Sequence, residues 1–166
     1  MNYADIKYCD VANGEGVRVS LFVSGCTHHC KECFNKEAGD FHYGNPFTQK
    51  EIDRILEYLK PNYIAGLSLL GGEPMEPVNQ EGILPLLRVV KQTYPEKNIW
   101  CYTGYLFDKD VLDKMCKESE VTKEIVSYLD IVVDGEFMID RKNLKINFRG
   151  SDNQRIIDVK KTLDAG

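Results

Sequence analysis

Residues 17–33 read Val-Arg-Val-Ser-Leu-Phe-Val-Ser-Gly-Cys-Thr-His-His-Cys-Lys-Glu-Cys, an apolar run followed by three closely spaced cysteines. The run from Val17 to Val23 predicts a buried strand, and Ser24-Gly25 leads from it into the cysteine loop. The cysteines, spaced C-x3-C-x2-C, are Cys26, Cys30 and Cys33. Thiolates are the ligands of iron–sulfur clusters, and three of them leave one iron of a 4Fe–4S cluster open to another ligand. The spacing therefore predicts a cluster that takes part in chemistry.

Further short apolar strands follow this one, each ending in a glycine-containing or polar loop and separated from the next by a helical pattern. They are predicted at residues 67–70, 99–102, 129–133 and 146–148. Strands that alternate with helices indicate parallel βα units, whose sites lie at the carboxyl ends of the strands. The 166 residues fall short of the ~250 of a full eightfold barrel. We therefore predict one α/β domain over residues 1–166, a partial, open (β/α) barrel with a mainly parallel sheet.

Two helix starts are predicted from capping residues. Thr48 and Glu51 form a capping box before the apolar positions of a first helix. Asp108 is predicted to cap a later helix that carries Val111, Leu112 and Met115.

Composition excludes several classes of protein. The formal net charge of −5 argues against a nonspecific nucleic-acid binder. The longest apolar run is too short for a membrane span and the first residues do not read as a signal peptide, so we expect a cytoplasmic protein without a membrane partner. In such a reducing compartment the clustered cysteines favour metal ligation over disulfides. Three scattered cysteines are expected to be small buried residues: Cys9, Cys101 and Cys116.

The residues themselves leave alternatives open. The cysteine loop could hold structural zinc with His28 or His29 as the fourth ligand, although no second cysteine pair follows. Gly71-Gly72-Glu73-Pro74 is either a strand-to-helix turn or a backbone edge for a ligand, with Glu73 pairing an ammonium group. Thr103 ends a strand on the same edge, whereas Asp134 and Glu136 are expected to be solvated loop acids by default.

The cysteine spacing, with Gly-Gly-Glu-Pro after a later strand, resembles the radical S-adenosylmethionine superfamily. The similarity extends to about Ile157 and is closest to the branch that activates the anaerobic ribonucleoside-triphosphate reductase. The stretches that carry it are residues 13–18, 22–26, 33–35, 100–105, 133–137 and 149–155.

The resemblance implies a site and a mechanism. Cys26, Cys30 and Cys33 would hold a 4Fe–4S cluster, with the methionyl group of S-adenosylmethionine on the fourth iron. Reductive cleavage would give a 5′-deoxyadenosyl radical that takes a hydrogen from a glycine of the large reductase. No catalytic residue is implied beyond the cluster and the cofactor. The residues implied to line S-adenosylmethionine are Glu32, Cys33, Phe34, Gly71, Gly72, Glu73 and Thr103.

The sequence departs from the superfamily pattern at one position. The residue before the last cysteine is commonly aromatic, but here it is Glu32, with Phe34 just after the cysteine. The backbone of residues 32–34 is expected to face the adenine, with no stacking role for Glu32. The implied partners are the large anaerobic ribonucleoside-triphosphate reductase and a low-potential electron donor such as flavodoxin or ferredoxin.

Other functions remain open at this point. A related enzyme would act on a small molecule, as the similarly compact carboxy-deazaguanine synthase does, or activate another glycyl-radical enzyme such as pyruvate formate-lyase. The stretch Gly150–Gln154 argues against both. A noncatalytic iron–sulfur or zinc module is the alternative from another class, and titration with S-adenosylmethionine would separate it from an enzyme.

Overall fold

One seven-stranded sheet organises the computed structural model, which describes residues 1–25, 42–135 and 153–165. The strands are β1 (Asn2–Asp10), β2 (Val17–Val23), β3 (Asn45–Pro46), β4 (Ile64–Gly71), β5 (Asn98–Tyr102), β6 (Ile131–Asp134) and β7 (Arg155–Asp158). The helices are α1 (Gln49–Leu59), α2 (Pro77–Thr93), a π-helix (Phe107–Met115), α3 (Cys116–Glu118), α4 (Glu120–Tyr128) and α5 (Val159–Ala165).

The centre of the sheet is parallel and its edges are antiparallel. Across the sheet the order is β3-β1-β2-β4-β5-β6-β7, with parallel pairing from β2 through β4 and β5 to β6. The strands β1, β3 and β7 pair antiparallel at the two sides. Within the described ranges the outer strands β3 and β7 do not pair with each other, so the sheet stays open. The prediction of an α/β, partial open barrel is confirmed.

The helices cover one face of the sheet. Side chains of a strand alternate between faces, and Val19 and Leu21 of β2 and Leu67 and Leu69 of β4 point to the helical side. They form one buried apolar cluster with residues of α1, α2 and α4. The apolar run at Val17–Val23 is therefore a buried strand, as predicted.

The opposite, inner face of the sheet is polar near the amino ends of the parallel strands. Arg18 is fully buried there and donates to the Ser68 hydroxyl (2.7 Å) and to the carbonyls of Glu15, Leu67 and Asn98. Its guanidinium also lies 5.4 Å from the centre of the Trp100 ring. Burial lowers the pKa of Arg18 to about 10, so it stays charged at neutral pH. This end of the inner face is filled, which leaves the carboxyl ends of the strands for a site.

One predicted helix start is confirmed and the other is wrong. The Glu51 carboxylate accepts from the Thr48 N–H at 3.0 Å, the reach of the predicted capping box. Asp108 does not cap a helix, because Leu106 is the capping position of the π-helix and Asp108 lies inside it. Asp110 instead accepts a hydrogen bond from the Leu106 N–H at 2.8 Å.

The strand predicted at residues 146–148 lies outside the described residues. In the described ranges, no helix has both the length and the apolar character needed to cross a bilayer.

Candidate functional site

The candidate site is the rim formed by the loops at the carboxyl ends of β2, β4, β5 and β6. Backbone hydrogen bonds hold these loops together. The Gly72 N–H donates to the Val23 carbonyl (2.8 Å) and the Glu73 N–H donates to the Gly25 carbonyl (2.7 Å). The Thr103 N–H donates to the Val133 carbonyl (2.9 Å). The Gly-Gly-Glu loop is thus attached to Gly25, the residue directly before Cys26.

Gly71 is required by the close approach of β4 to the end of β2. Its φ is +112°, a conformation that L side chains rarely adopt. A Cβ atom at this position would lie 2.5 Å from the Val23 carbonyl oxygen and 2.6 Å from the Val23 nitrogen. The glycine therefore lets two loops of the rim touch through their backbones.

Glu73 is a buried acid, unlike a residue of an ordinary surface turn. Its side chain is 0% exposed. One carboxylate oxygen accepts from the Gly104 N–H (2.6 Å), and the other accepts from the Thr103 hydroxyl (2.7 Å) and the Met75 N–H (2.9 Å). These donors replace the water that the carboxylate loses on burial. Without them, a buried carboxylate would lower the stability of the fold by roughly several kcal/mol. The carboxylate consequently joins the rim loops of β4 and β5.

A second contact joins the same two loops. The Tyr105 hydroxyl donates to the Glu76 carboxylate at 3.0 Å, and Glu76 is buried. Two acidic residues of the β4 loop are therefore bound by groups of the β5 loop.

Asn79 is a residue of the site that the sequence analysis missed. It lies in the first turn of α2 and is fully buried. Its amide nitrogen donates to the carbonyls of Glu73 (2.9 Å) and Ser24 (3.0 Å), which belong to different loops. The signal in the sequence is weak, since an asparagine just after Glu-Pro-Val is also typical of an exposed first helical turn.

Asp134 is also buried, so the expectation that it is a solvated loop acid is wrong. Both of its oxygens accept from the Arg155 guanidinium, with the Nε–Oδ1 distance at 2.9 Å, and the Phe107 N–H donates to Oδ2 at 2.7 Å. Arg155 also donates to Asp108 (3.0 Å), and the bonds to the two carboxylates raise its pKa. The same contact holds the pKa of Asp108 below its usual range. This cluster ties β6, β7 and the π-helix together.

Gln154 completes the connection between the last two strands. Its amide nitrogen donates to the Gly135 carbonyl at 3.0 Å, and the Gly135 N–H donates to the Tyr105 carbonyl at 3.2 Å. The parts of the Asp-Gly-Glu-Phe and Gly-Ser-x-Asn-Gln stretches that the structure describes thus lie side by side on the rim. Glu136, Phe137 and residues 149–152 lie outside the described residues.

The predicted metal ligands Cys26, Cys30 and Cys33, with Glu32 and Phe34, lie outside the described residues. Gly71, Gly72, Glu73 and Thr103 lie together on the rim that leads into this stretch. Among the residues that the structure does describe, no three His, Cys, Asp or Glu side chains gather in a metal-binding arrangement.

The three scattered cysteines have different environments. Cys101 is buried, as predicted, and Cys116 is half-buried, but Cys9 is exposed on β1, which contradicts the expectation for that residue. Burial, followed by the charge of Glu73, raises the pKa of the Cys101 thiol well above its usual value. Burial also raises the pKa of Cys116. Both thiols are therefore harder to convert to the thiolate, the form in which cysteine binds metals.

The donor chemistry of the cysteine loop fits an iron–sulfur cluster. Three thiolates in one short loop would suit a 4Fe–4S cluster and would leave one iron open. The Glu73 N–H donates to the Gly25 carbonyl, so the residue that carries the buried carboxylate is attached to the residue preceding that loop. A carboxylate in this position suits a ligand that carries an ammonium group.

Comparisons with known proteins show the family of this chain. A family model described as "4Fe-4S single cluster domain" matches residues 12–157. The chain is 42% identical over 158 residues to the anaerobic ribonucleoside-triphosphate reductase-activating protein of Enterobacteria phage T4, covering 94% of this chain and 93% of the relative. The proteins of the same name from Pasteurella multocida and Escherichia coli (strain K12) are 40% and 38% identical, covering 94% and 93% of this chain and 96% of each relative. The chain therefore belongs to the family of anaerobic ribonucleoside-triphosphate reductase-activating proteins, which carries a 4Fe–4S single-cluster domain.

Proposed function

We propose that this protein is a radical S-adenosylmethionine activase of the large anaerobic ribonucleoside-triphosphate reductase. The observation that carries the proposal is the position of Glu73, a buried acid whose backbone N–H donates to the carbonyl of Gly25, the residue before Cys26. The names of the relatives supply the partner, and the family model supplies the cluster.

Cys26, Cys30 and Cys33 would hold the cluster, and the methionyl group of S-adenosylmethionine would bind its open iron. When bound, the reduced cluster would supply one electron to the sulfonium carbon–sulfur bond of S-adenosylmethionine, chemistry that would generate methionine and the radical that takes a hydrogen atom from a glycine of the reductase. A reduced flavodoxin or ferredoxin would provide the electron. Free thiolates and a low-potential cluster require a reducing compartment, so we place the reaction in the cytoplasm.

The residues of the rim would bind and orient S-adenosylmethionine and exclude water from it. Gly71 lets the backbone of the β4 loop lie against β2, which keeps Gly72 and Glu73 next to the cysteine loop. Glu73 would pair the ammonium group of the methionyl moiety, and residues 32–34 are proposed to contact the adenine through their backbone. Burial of Glu73 strengthens this pairing because competing water is absent.

The open side of the barrel is where the reductase would present its glycine. A protein substrate brings its own loop to the site, so a chain of 166 residues needs no further elements to enclose it. The stretches around Gly135 and Gln154 lie on this rim and are proposed to contact the reductase.

Electron paramagnetic resonance tests the proposal directly. Reductase, this protein, S-adenosylmethionine and a strong reductant are mixed without oxygen, and we expect a doublet signal from a glycyl radical on the reductase. Cys9→Ser, which alters an exposed thiol far along β1, should leave the signal unchanged. If the mixture gives only methionine and 5′-deoxyadenosine while pyruvate formate-lyase acquires the radical, the chemistry is right and the partner is wrong.

Replacing Glu73 by glutamine tests the ammonium pairing. The change removes the charge and turns an amide NH₂ toward groups that themselves donate hydrogen bonds. We expect affinity for S-adenosylmethionine to fall by roughly 1–3 kcal/mol, the scale of a hydrogen bond to a charged group, and stability to fall by a similar amount. Calorimetric titration and urea unfolding measure the two effects, and unchanged affinity would remove Glu73 from the binding site.

A further inference from the structure

The hydroxyl of Thr103 has its single proton committed to Glu73. The Thr103 side chain is 5% exposed, and its oxygen donates to the Glu73 carboxylate at 2.7 Å. The same oxygen accepts from the Tyr105 N–H at 3.1 Å. Because the incoming N–H occupies a lone pair of the oxygen, the hydroxyl proton is directed toward the carboxylate.

We infer that Thr103 is a positioning residue that orients the Glu73 carboxylate, and that it does not itself contact S-adenosylmethionine. The inference rests on the proposed function. The sequence predicted that Thr103 contacts the cofactor directly. The inference is instead that Thr103 affects cofactor binding through Glu73.

The geometry shows why the β5 loop controls the carboxylate. Thr103 and Gly104 place one donor on each carboxylate oxygen, so the two bonds together fix the plane of the group. A further donor, the Met75 N–H, comes from the same loop as Glu73 itself. Without the Thr103 donor, the carboxylate oxygen that it binds loses its bond to the β5 loop, and the plane of the carboxylate is less firmly fixed.

Valine at position 103 keeps the shape of threonine and removes only the hydroxyl. We expect Thr103→Val to weaken the binding of S-adenosylmethionine about tenfold, since bonds to charged groups are the strong ones. Thr103→Ser keeps the donor and should restore affinity to within about twofold. Calorimetric titration of anaerobically reconstituted, unreduced protein measures binding without turnover.

A ligand without the ammonium group distinguishes a loss of carboxylate positioning from general damage to the binding site. 5′-Methylthioadenosine shares the adenosine part of S-adenosylmethionine and lacks the amino-acid part. If Thr103 acts through Glu73, Thr103→Val should leave the affinity for 5′-methylthioadenosine unchanged. A purely structural role would weaken both ligands together.

Ser20→Ala is the matched control for loss of a buried hydroxyl that donates to a carboxylate. Ser20 is buried in β2 and donates to the Asp10 carboxylate at 2.7 Å, and Asp10 pairs with Arg18 between β1 and β2 near the amino ends of the parallel strands, away from the rim. The change should lower the melting temperature of the protein about as much as Thr103→Val and leave the binding of S-adenosylmethionine unchanged. Thr103→Ala serves as a second variant if the valine protein does not fold.

The outcomes are distinct. The inference is supported if Thr103→Val weakens the binding of S-adenosylmethionine but not that of 5′-methylthioadenosine, and if Thr103→Ser restores the affinity. Wild-type affinity in both Thr103→Val and Thr103→Ala, or equal loss for both ligands, overturns it while the proposed function stands. Failure of the wild-type protein to bind S-adenosylmethionine overturns the proposed function and this inference with it.

Discussion

Replacing Cys30 by alanine is expected to abolish both assembly of the 4Fe–4S cluster and cleavage of S-adenosylmethionine. Three cysteines supply all of the protein ligands in the proposed site, so the loss of one leaves the cluster with too few thiolates. The anaerobically reconstituted wild-type protein should hold about four irons per chain, and the variant should hold far fewer. Iron analysis and quantification of 5′-deoxyadenosine measure the two effects, and Cys26→Ala and Cys33→Ala should behave alike.

The scattered cysteines provide the controls for this experiment. Cys9→Ser changes an exposed thiol on β1 and should keep the wild-type iron content. Cys116→Ser and Cys101→Ser should also keep it, because neither residue belongs to the three clustered cysteines. Stoichiometric zinc without iron uptake under reducing conditions would show that the loop is a zinc site.

Replacing Gly71 by alanine is expected to destabilise the fold and to weaken binding at the rim. A non-glycine residue at a φ of +112° carries strain of roughly 1–3 kcal/mol. The contact with Val23 adds a forced backbone shift of about 1–3 kcal/mol, since the colliding atoms belong to the backbone. Urea unfolding measures the total loss, and titration with S-adenosylmethionine should show reduced affinity.

Gly135→Ala separates the backbone strain from the cost of the collision with Val23. Gly135 has a φ of +97°, but a Cβ atom there would lie 3.7 Å from its nearest contact in the described part of the chain, an ordinary distance. Its replacement should therefore cost only the backbone strain, and the difference between the two variants gives the cost of the collision at Gly71. Equal losses in both variants would contradict the close approach of β4 to β2.

Local patterns in the sequence were sufficient for the central elements of the fold. The apolar run of β2 and the capping box at Thr48 and Glu51 each lie within a few residues, so their structure follows from nearby sequence. The strands β1 and β7, which pair antiparallel at the two sides of the sheet, were not predicted. Most of β1 is exposed or half-buried, and β7 has four residues, so neither carries a clear apolar signal.

Partners that are distant in sequence explain the errors at the site. Asp134 reads as a loop acid until Arg155, 21 residues later, is seen to bind it. Glu73 is bound by Thr103, which lies 30 residues away, so neither its burial nor the role of Thr103 follows from the local turn. Both pairs form across loops that meet only after the strands have paired.

The bond between Gly135 and Gln154 has a consequence for how relatives diversify. It brings together the two ends of the intervening segment, while Asp134 and Arg155 hold the strands on either side. Closure of a chain between fixed ends costs only about 0.6 kcal/mol more for each doubling of its length. Evolution can therefore lengthen, shorten or exchange this segment to suit a different reductase while the sheet and its rim keep their geometry.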